Sequence, residues 1–364
     1  MGRGIGELVS TIKSKMIFAS DNWAGVHPDI AKRLSDEANG FAAAYGASEL
    51  DKKVEQTFNE LFEREVAVYF VGTGTAANSL ALASVNRPGG VTFCHREAHM
   101  IEDECGAPEF FTHGARLAPV DGENGKIDPQ NLKSEIARFP PDFIHAGQPM
   151  AISITQATEI GTVYQVAEIN ALAAIAKDKG LPLHMDGARF ANALVALNLT
   201  PAEMTWKAGV DIISFGATKN GCWCAEALVF TDPKIAKDLP FIRKRAAQLF
   251  SKTRFIASQF EAYLADNLWQ KLARHANIMA MRLRQGISTA KHARLGWDTD
   301  TNEVFCILDK AFAEQLKQQG AIFHPWNPPR SKQHLLDENE ILVRLVTSFA
   351  TQPNQVDQFI ELLD

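Results

Sequence analysis

Short apolar runs alternate with longer segments of helical period between about residue 66 and residue 230. We predict strands at 66–71, 90–94, 143–145, 151–155, 181–185, 210–215 and 227–230, because each run has the length of a buried strand. Helices are predicted to begin near Thr75 and to cover 166–179. Strands separated by helices imply crossover connections, so the pattern predicts an α/β fold with a mainly parallel, doubly wound sheet.

The pattern changes from about residue 235 onward. Long segments of helical period cover 241–260 and 268–285, strand-like runs follow at 304–308 and 341–346, and a terminal helix is predicted at 353–363. The stretch 325–329 is predicted to be a loop, because its prolines cannot donate to a ladder. We therefore expect an N-terminal segment at 1–16, a large domain at 17–250 and a small α+β C-terminal domain at 251–364.

Composition indicates an ordinary globular protein. The chain has 364 residues, of which 46% are hydrophobic and 22% charged, and its net charge of −6 disfavours a nucleic acid or an anionic membrane as partner. It has no apolar run of about 18 residues, and residues 1–15 lack the apolar core of a secretory signal. Its five cysteines form no regular framework, so we expect reduced thiols and a cytoplasmic location.

Two charged residues follow two consecutive predicted strands. Asp186 comes directly after the run 181–185, and Lys219 lies in a small polar turn after the run 210–215. In open α/β sheets, ligands bind outside the carboxyl ends of the strands, so both side chains should face one crevice. Partial desolvation there favours the neutral, nucleophilic form of a lysine amine. A lysine that forms a Schiff base and a carboxylate that keeps a pyridine nitrogen protonated are the groups that pyridoxal phosphate needs.

A glycine-rich turn at 72–78 follows the first predicted strand and opens a helix. Glycine lets the backbone approach a ligand, and a helix N-terminus presents unpaired N–H groups, so Gly74 and Thr75 are candidate phosphate ligands. A tight turn with an N-cap is the structural alternative. The turn also fits the dinucleotide pattern of a nicotinamide-dependent oxidoreductase, but the acidic residue expected about 20 positions later is missing. That alternative also leaves Asp186 and Lys219 without roles.

The histidines do not predict a metal site. His95 and His99 lie four residues apart, but Arg96 stands where a zinc-protease helix carries its glutamate, and an arginine beside a metal cation is unfavourable. The two cysteines within 222–224 are too closely spaced for a good zinc or redox pair, so we interpret them as packed thiols. We therefore expect no bound metal.

At these residues the chain resembles the fold type I pyridoxal phosphate enzymes, and within them the threonine aldolases of the β-eliminating lyase superfamily. It is most similar to the bacterial low-specificity L-threonine aldolase group. The resemblance extends from residue 18 to residue 345, and its most specific motifs are 184–190 and 216–221. Further motifs that carry it are 44–46, 74–78, 98–99, 104–107 and 156–159.

The resemblance implies cofactor contacts for the candidate residues. Lys219 would hold pyridoxal phosphate as a Schiff base, Asp186 would pair with the pyridine nitrogen, and Arg189 would hydrogen-bond the ring oxygen. His99 would stack over the ring and lie near the substrate's β-hydroxyl, and the turn with Gly74 would bind the phosphate.

The resemblance also implies the reaction and the assembly. Ser20 and Arg344 would grip the substrate carboxylate, and Tyr45 would also contact the substrate. A guanidinium suits this task because it binds carboxylate with two parallel bonds, and a lone arginine in an apolar strand is otherwise costly to bury. The implied reaction is retro-aldol cleavage of L-threonine, L-allo-threonine or phenylserine-type L-3-hydroxy-α-amino acids to glycine and an aldehyde. The implied assembly is a homotetramer, a dimer of dimers with the active site at the dimer interface.

One departure leaves the catalytic base open. Some threonine aldolases carry a second active-site histidine in the segment that corresponds to 155–161, and this chain has none there. The base could be His99, a water held by His99 or Glu159, or another group. A sister enzyme that performs β-elimination or transamination is an alternative function. A non-catalytic cofactor-binding regulator is another, which the absence of a basic segment disfavours.

Overall fold

The computed structural model describes residues 15–364, so most of the N-terminal segment predicted at 1–16, in which no secretory signal was expected, lies outside the described residues. The strands are β1 (Met16–Ile17), β2 (Ala67–Val71), β3 (Gly90–His95), β4 (Arg116–Val120), β5 (Gln148–Thr155), β6 (Leu183–Gly187), β7 (Ile212–Gly216), β8 (Glu226–Phe230), β9 (Ala293–Leu295), β10 (Glu303–Asp309), β11 (Ala321–Ile322), β12 (His324–Pro325) and β13 (Glu340–Val346). The helices are α1 (Pro28–Glu37), α2 (Glu49–Leu61), α3 (Gly74–Ser84), α4 (His99–Glu102), α5 (Ala107–Phe111), α6 (Pro129–Ala137), α7 (Val166–Asp178), α8 (Phe190–Leu197), α9 (Pro201–Met204), α10 (Leu239–Arg245), α11 (Arg254–Leu264), α12 (Leu268–Thr289), α13 (Lys310–Gln318) and α14 (Pro353–Glu361).

A seven-stranded sheet forms the centre of the molecule, in the order β2-β8-β7-β6-β5-β3-β4. Five strands, β7, β6, β5, β3 and β4, run parallel to one another. Strand β8 runs antiparallel to both of its neighbours, β2 and β7. This arrangement confirms the predicted α/β fold with a mainly parallel sheet. A separate antiparallel sheet, in the order β12-β13-β10-β9, is formed by the C-terminal part of the chain.

Two predicted elements are wrong. The apolar run 143–145 lies in turns before β5, and Ile144 is 88% exposed, so its side chains are not buried in the sheet. The helix predicted over 241–260 is interrupted between α10 and α11, where Ala247 has a positive φ of 57°. Within this break the Gln248 side-chain oxygen accepts the N–H of Gly72 at 3.0 Å, so the interruption brings the chain to the turn that follows β2.

Prolines explain two further differences. The pattern did not predict β4, which contains Pro119 and lies at the edge of the large sheet. Pro325 was expected in a loop, but it lies in the short edge strand β12 opposite Val343. Proline is tolerated at both places because the outer side of an edge strand needs no donor to a neighbouring strand.

The described residues form five hydrophobic cores, and two of them are the largest. In the first, Phe58 is fully buried and its ring lies 5.4 Å from both Phe215 on β7 and Phe260 on α11. The second joins Phe18 to the C-terminal sheet and to Phe359 on α14. Helix α12 contributes its first turns to the first core and its later turns to the second, so the domain boundary at residue 250 stays a prediction.

The N-terminal strand belongs structurally with the C-terminal part of the chain. Strand β1 pairs in parallel with β11, and the backbone N–H of Val346 donates to the carbonyl of Phe18 at 2.9 Å. Ser20 lies in the segment that follows, one residue before Asp21, whose side chain accepts bonds from Arg189 and Asn302. Among residues 15–364, no helix combines the length and apolar character needed to cross a membrane.

Candidate active site

The strands β2, β6 and β7 run in the same direction, so their carboxyl ends lie along one border of the large sheet. Asp186 lies near the end of β6, directly opposite Ser214 of the parallel strand β7. Lys219 lies in a 3-10 turn, Thr218–Asn220, that begins two residues after β7 ends. Strand β2 also ends at this edge and leads into α3, which begins at Gly74. The predicted strand-end geometry is thus present.

A cavity of about 270 Å³ lies at this edge. It brings together five of the predicted site residues, which are Gly74, Thr75, His99, Asp186 and Lys219. The other lining residues are Asn22, Gly72, Thr73, Asn78, Glu104, Ala188, Thr218 and Glu226. Larger clefts of about 650 and 590 Å³ lie elsewhere on the described part of the chain, but none of the predicted site residues lines either of them.

The N-terminus of α3 offers donors for an anion. Thr73 caps the helix, and its hydroxyl accepts the N–H of Ala76 at 3.1 Å. The N–H groups of Gly74 and Thr75 have no partner within the helix, because the first turn of any helix lacks one. A Cβ on Gly74 would meet no atom within 4 Å, so the space beside this turn is open. The helix dipole adds a partial positive charge, and the turn therefore fits a phosphate group.

A chain of buried hydrogen bonds connects Asp186 to His99. The Asn78 side-chain amide donates to Asp186 Oδ2 and to Glu104 Oε1, both at 2.8 Å. Glu104 Oε1 also lies 3.0 Å from His99 Nδ1. The backbone N–H of Ala188 donates to Asp186 Oδ1 at 3.0 Å. These contacts fix the orientation of the carboxylate and of the imidazole ring on the two sides of the cavity.

The charge of this chain of hydrogen bonds depends on the pair formed by His99 and Glu104. The hydrogen bond to Glu104 raises the pKa of His99 above its ordinary value, although burial opposes the shift. Burial raises the pKa of Glu104, while the hydrogen bond to His99 opposes that change. A proton is therefore held more firmly at this pair than on a free imidazole.

His184 on β6 is a structural residue and does not belong to the chain of hydrogen bonds between Asp186 and His99. Its ring lies between Ser153 Oγ at 2.8 Å and Ser214 Oγ at 2.9 Å, on the two neighbouring strands. Burial lowers the pKa of His184 to about 4, so the ring is neutral near pH 7. It links three strands directly below the cavity.

Arg189 does not line the cavity but lies in a buried ionic cluster beside it. Its guanidinium donates two bonds to Asp21, at 2.8 and 3.1 Å, and lies 3.4 Å from Glu303. Arg344 lies 3.4 Å from the same Glu303 oxygen. Burial alone would lower the pKa of Arg189, but Asp21 and Glu303 raise it above its usual range. The guanidinium is therefore permanently charged, and its donors already bind carboxylates.

The residues expected to bind substrate lie outside the cavity lining. Ser20 caps a 3-10 turn, and its hydroxyl accepts the N–H of Asn22, which lines the cavity, at 3.1 Å. The Arg344 guanidinium lies 4.0 Å from the centre of the Trp326 ring, and its buried Nε has no hydrogen-bond partner. Tyr45 is 54% exposed, and its N–H donates to Ser251.

Sequence reasoning gave no role to several residues of the site. Asn78 stands one helical turn after Gly74, so its position on the same face of α3 was a usable signal. Glu104 belongs to the motif 104–107, but nothing in the sequence showed its contact with His99, because a turn separates it from α4. Asp21 and Glu303 are distant from Arg189 in sequence, and only the fold brings them together. Within residues 15–364, no group of three or more potential metal ligands is close enough to hold an ion.

The chain is similar to known proteins over most of its length. Residues 18–311 match the family model described as beta-eliminating lyase. A low specificity L-threonine aldolase of Pseudomonas sp. (strain NCIMB 10558) is 40% identical over 307 residues, which cover 84% of this chain and 88% of that protein. The solved structure of a Leishmania major threonine aldolase superposes with a TM-score of 0.88 and 28% identity, and covers 95% of this chain and 98% of that one.

The fold is that of the fold type I pyridoxal phosphate enzymes. A structure of SPT with its pyridoxal phosphate superposes with a TM-score of 0.66 at 15% identity over 96% of this chain and 86% of that one, which shows the shared fold alone. The cavity fits this cofactor, because an amine, a carboxylate and the open N-terminus of α3 face one space, and the buried Asn78 Oδ1 has no hydrogen-bond partner. The family match, the relatives and the fold agree that the chain belongs to the beta-eliminating lyase family and that pyridoxal phosphate is its cofactor.

Proposed function

We propose that the protein is a low-specificity L-threonine aldolase, a lyase that cleaves L-threonine, L-allo-threonine and phenylserine-type L-3-hydroxy-α-amino acids to glycine and an aldehyde. The observation that carries the proposal is the single cavity lined by Lys219, Asp186 and His99 at the N-terminus of α3. The similarity to low specificity L-threonine aldolases over 84% of the chain supports the choice of reaction.

Three parts of the chain would hold pyridoxal phosphate. Lys219 supplies the amine for covalent attachment, Asp186 supplies a carboxylate for the pyridine nitrogen, and the N–H groups of Gly74 and Thr75 supply donors for the phosphate. When bound, the cofactor withdraws electrons from the substrate's α-carbon. The bonds from Asn78 and Ala188 keep the Asp186 carboxyl group in place in the lining of the cavity.

Arg344 and Ser20 are the proposed binding groups for the substrate carboxylate. The buried, unpartnered Nε of Arg344 supports this role, because a buried donor without an acceptor is costly and a carboxylate would supply one. Glu303 and the Trp326 ring restrict the orientation of the guanidinium. Arg189 is proposed to act near the cofactor ring, where its charge is fixed by Asp21.

His99 is the proposed group for the proton of the β-hydroxyl. Its Nδ1 faces Glu104, so the other ring nitrogen is the one available to a substrate or to a bound water. Proton transfer by a positioned side chain contributes about 10²- to 10⁴-fold to a rate. A water held by His99 or Glu159 remains a second route to the same proton transfer.

A neighbouring cleft supports acceptance of larger side chains. The residues that line the cleft of about 590 Å³ include Asp103, Glu159 and Trp326. Glu159 also interacts electrostatically with His99, so this cleft lies close to the proposed base. A β-aryl substrate such as L-phenylserine would direct its ring towards this space.

The proposed assembly is a cytoplasmic homotetramer whose active site lies at a dimer interface. Phe250 packs against Gly72 of the cavity lining, and the exposed rings of Trp23 and Trp223 adjoin Asn22 and Cys224 at the same edge of the sheet. Burying exposed aromatic rings is a common source of association free energy.

Product analysis with several amino acids tests the proposed reaction. The protein loaded with pyridoxal phosphate should release acetaldehyde and glycine in equal amounts from L-threonine and L-allo-threonine, and benzaldehyde and glycine from L-phenylserine. Serine and cysteine conjugates test β-elimination through pyruvate, and alanine with a keto acid tests transamination. Rapid release of pyruvate or amino transfer without any aldehyde would contradict the proposal.

A further inference from the structure

A second buried carboxyl group shares the cavity with Asp186. Glu226 is the first residue of β8, and it lies opposite Gly216 at the end of β7 and Val71 at the end of β2. Because β8 runs antiparallel to both neighbours, its first residue lies at the same edge of the sheet as their last residues. Glu226 is only 7% exposed, and it lines the cavity with Lys219.

The contacts of Glu226 tie it to the turn that carries Lys219. The side chain and the backbone of Thr218, the residue before Lys219, both lower the pKa of Glu226, so Thr218 lies beside this carboxyl group. The Thr218 hydroxyl also accepts the N–H of Ala225 at 3.1 Å, which closes the turn onto the start of β8. The start of β8, where Glu226 lies, is therefore tied to the turn that carries Lys219.

The surroundings of Glu226 make its charge sensitive to pH. Burial raises the pKa of Glu226 to about 7, Thr218 and the charge of Lys219 oppose this rise, and the charge of Asp186 adds to it. The thiols of Cys222 and Cys224, in the turn before β8, also face it. From α11, the Tyr263 hydroxyl faces the same group.

We propose that Glu226 is a positioning residue that sets the protonation of the nitrogen joining Lys219 to the cofactor. This proposal rests on the proposed cofactor attachment at Lys219. Above about pH 7 the carboxylate is negative, and a negative charge at close range stabilises a protonated nitrogen. Below that pH Glu226 is neutral, and this stabilisation is lost. No bond to Glu226 forms or breaks in this role.

Glu226→Gln separates the charge from the structural contacts. The glutamine keeps the size of the side chain, and the bond between Ala225 and Thr218 that closes the turn is untouched, while the negative charge is removed. Glu226→Asp keeps the charge on a side chain one methylene shorter. Glu104→Gln is the matched control, because it removes a carboxyl group from the same cavity, and the groups that act on Glu104 are His99, Asn78 and Asp186.

The test is a pH titration of the visible absorbance of the protein loaded with pyridoxal phosphate. For Glu226→Gln we expect the midpoint to fall by about one pH unit, which is a tenfold change in the proton affinity of the nitrogen. We expect the midpoint of Glu226→Asp to lie much closer to that of the parent protein than the midpoint of Glu226→Gln does. We expect Glu104→Gln to leave the midpoint close to that of the parent protein. Equal melting temperatures of the parent and Glu226→Gln would show that the turn is intact.

The outcomes distinguish this role from the proposed function. An unchanged midpoint in Glu226→Gln would overturn the role of Glu226 while cofactor attachment and aldehyde release remain normal. An equal shift in Glu104→Gln would also overturn it, because the effect would then come from any charge in the cavity. A parent protein that shows no visible band with the cofactor would overturn both this role and the proposed attachment at Lys219.

Discussion

His99 and its partner Glu104 illustrate how single residues set the chemistry of the cavity. The imidazole is half-exposed on the cavity side, whereas the Glu104 side chain is fully buried behind it. The buried carboxyl group therefore acts on the histidine, both by orienting the ring and by changing its proton affinity.

Glu104→Gln should change the pH dependence of threonine cleavage. The bond to Glu104 raises the pKa of His99, so the neutral form that accepts a proton appears only at a higher pH than for a free imidazole. Without the carboxylate the pKa of His99 falls, and we expect the acid limb of the kcat/KM profile to move to lower pH. The measurement is kcat/KM against pH, with the exposed Glu102→Gln as control. An acid limb that stays in place or moves to higher pH would contradict a base role for His99.

The chemistry of single residues could be predicted where it follows from chain position. Lys219 and Asp186 follow buried strands, so their position at one edge could be predicted from the hydrophobic pattern. The partners of Arg189 could not, because Asp21 lies 168 residues away and the contact depends on how the N-terminal turn packs. Glu226 was also missed, because nothing in the sequence shows that β8 runs antiparallel and begins at the cavity.

At the scale of elements, the 3-10 turn Asp21–Trp23 connects the two parts of the molecule. Asp21 binds Arg189, which precedes α8, and accepts a bond of 3.1 Å from the Asn302 amide next to β10. Burial raises the pKa of Asp21, but Arg189 and Lys219 outweigh this and hold it below the ordinary value of 3.8. The turn is thus fixed by a charged contact rather than by apolar packing alone.

Asp21→Asn should destabilise the protein through this contact. The substitution keeps the size of the side chain but leaves the buried guanidinium of Arg189 with Glu303 as its remaining close carboxylate. Breaking a buried ion pair on one side costs about 3 to 5 kcal/mol. In urea titrations at pH 7, we expect Asp21→Asn to lower the free energy of unfolding by about 3 kcal/mol. We expect almost no loss for Asp29→Asn, which replaces an exposed side chain.

The pH dependence of this loss has a definite sign. Because the pKa of Asp21 is lowered in the folded protein, its contribution is present above 3.8 and is lost as pH falls through the folded value. The difference between the parent protein and Asp21→Asn should therefore shrink in acid. A difference below about 1 kcal/mol at pH 7, or one that grows as pH falls, would contradict the proposed contribution of the pair.

Element boundaries could be predicted best where apolar runs are both long and buried. Strands β6, β7 and β10 lie within two residues of their predicted positions, since their side chains pack on both faces. The run 143–145 was wrong because Ile144 and Phe143 are apolar but exposed, which a hydrophobic pattern cannot show. The break after α10 depends on the bond between Gln248 and Gly72, a long-range contact.

At the scale of the whole molecule, the cavity opens on a surface with exposed aromatic rings. Trp223 is 65% exposed one residue before Cys224, whose thiol donates to the Gly72 carbonyl of the cavity lining at 3.1 Å. An apolar ring in this position favours contact with a second copy of the chain.

Trp223→Glu should therefore disrupt the proposed homotetramer. We expect light scattering after size-exclusion chromatography to give a mass near four times 40.0 kDa for the parent protein and a smaller assembly for the variant. Ile144→Glu is the matched control, because this exposed side chain lies before β5, at the opposite edge of the parallel strands. A parent protein that elutes as a monomer, or a variant with an unchanged mass, would contradict an interface at the cavity.

The attachment of the cofactor to Lys219 is the claim on which the proposed function depends. The direct measurement is borohydride reduction of the protein loaded with pyridoxal phosphate, followed by mass spectrometry of its peptides. We expect one phosphopyridoxyl group per chain, located on Lys219, and none on that peptide after Lys219→Ala. A stable modification on a different lysine of the parent protein, with the peptide of Lys219 unmodified, would contradict the account.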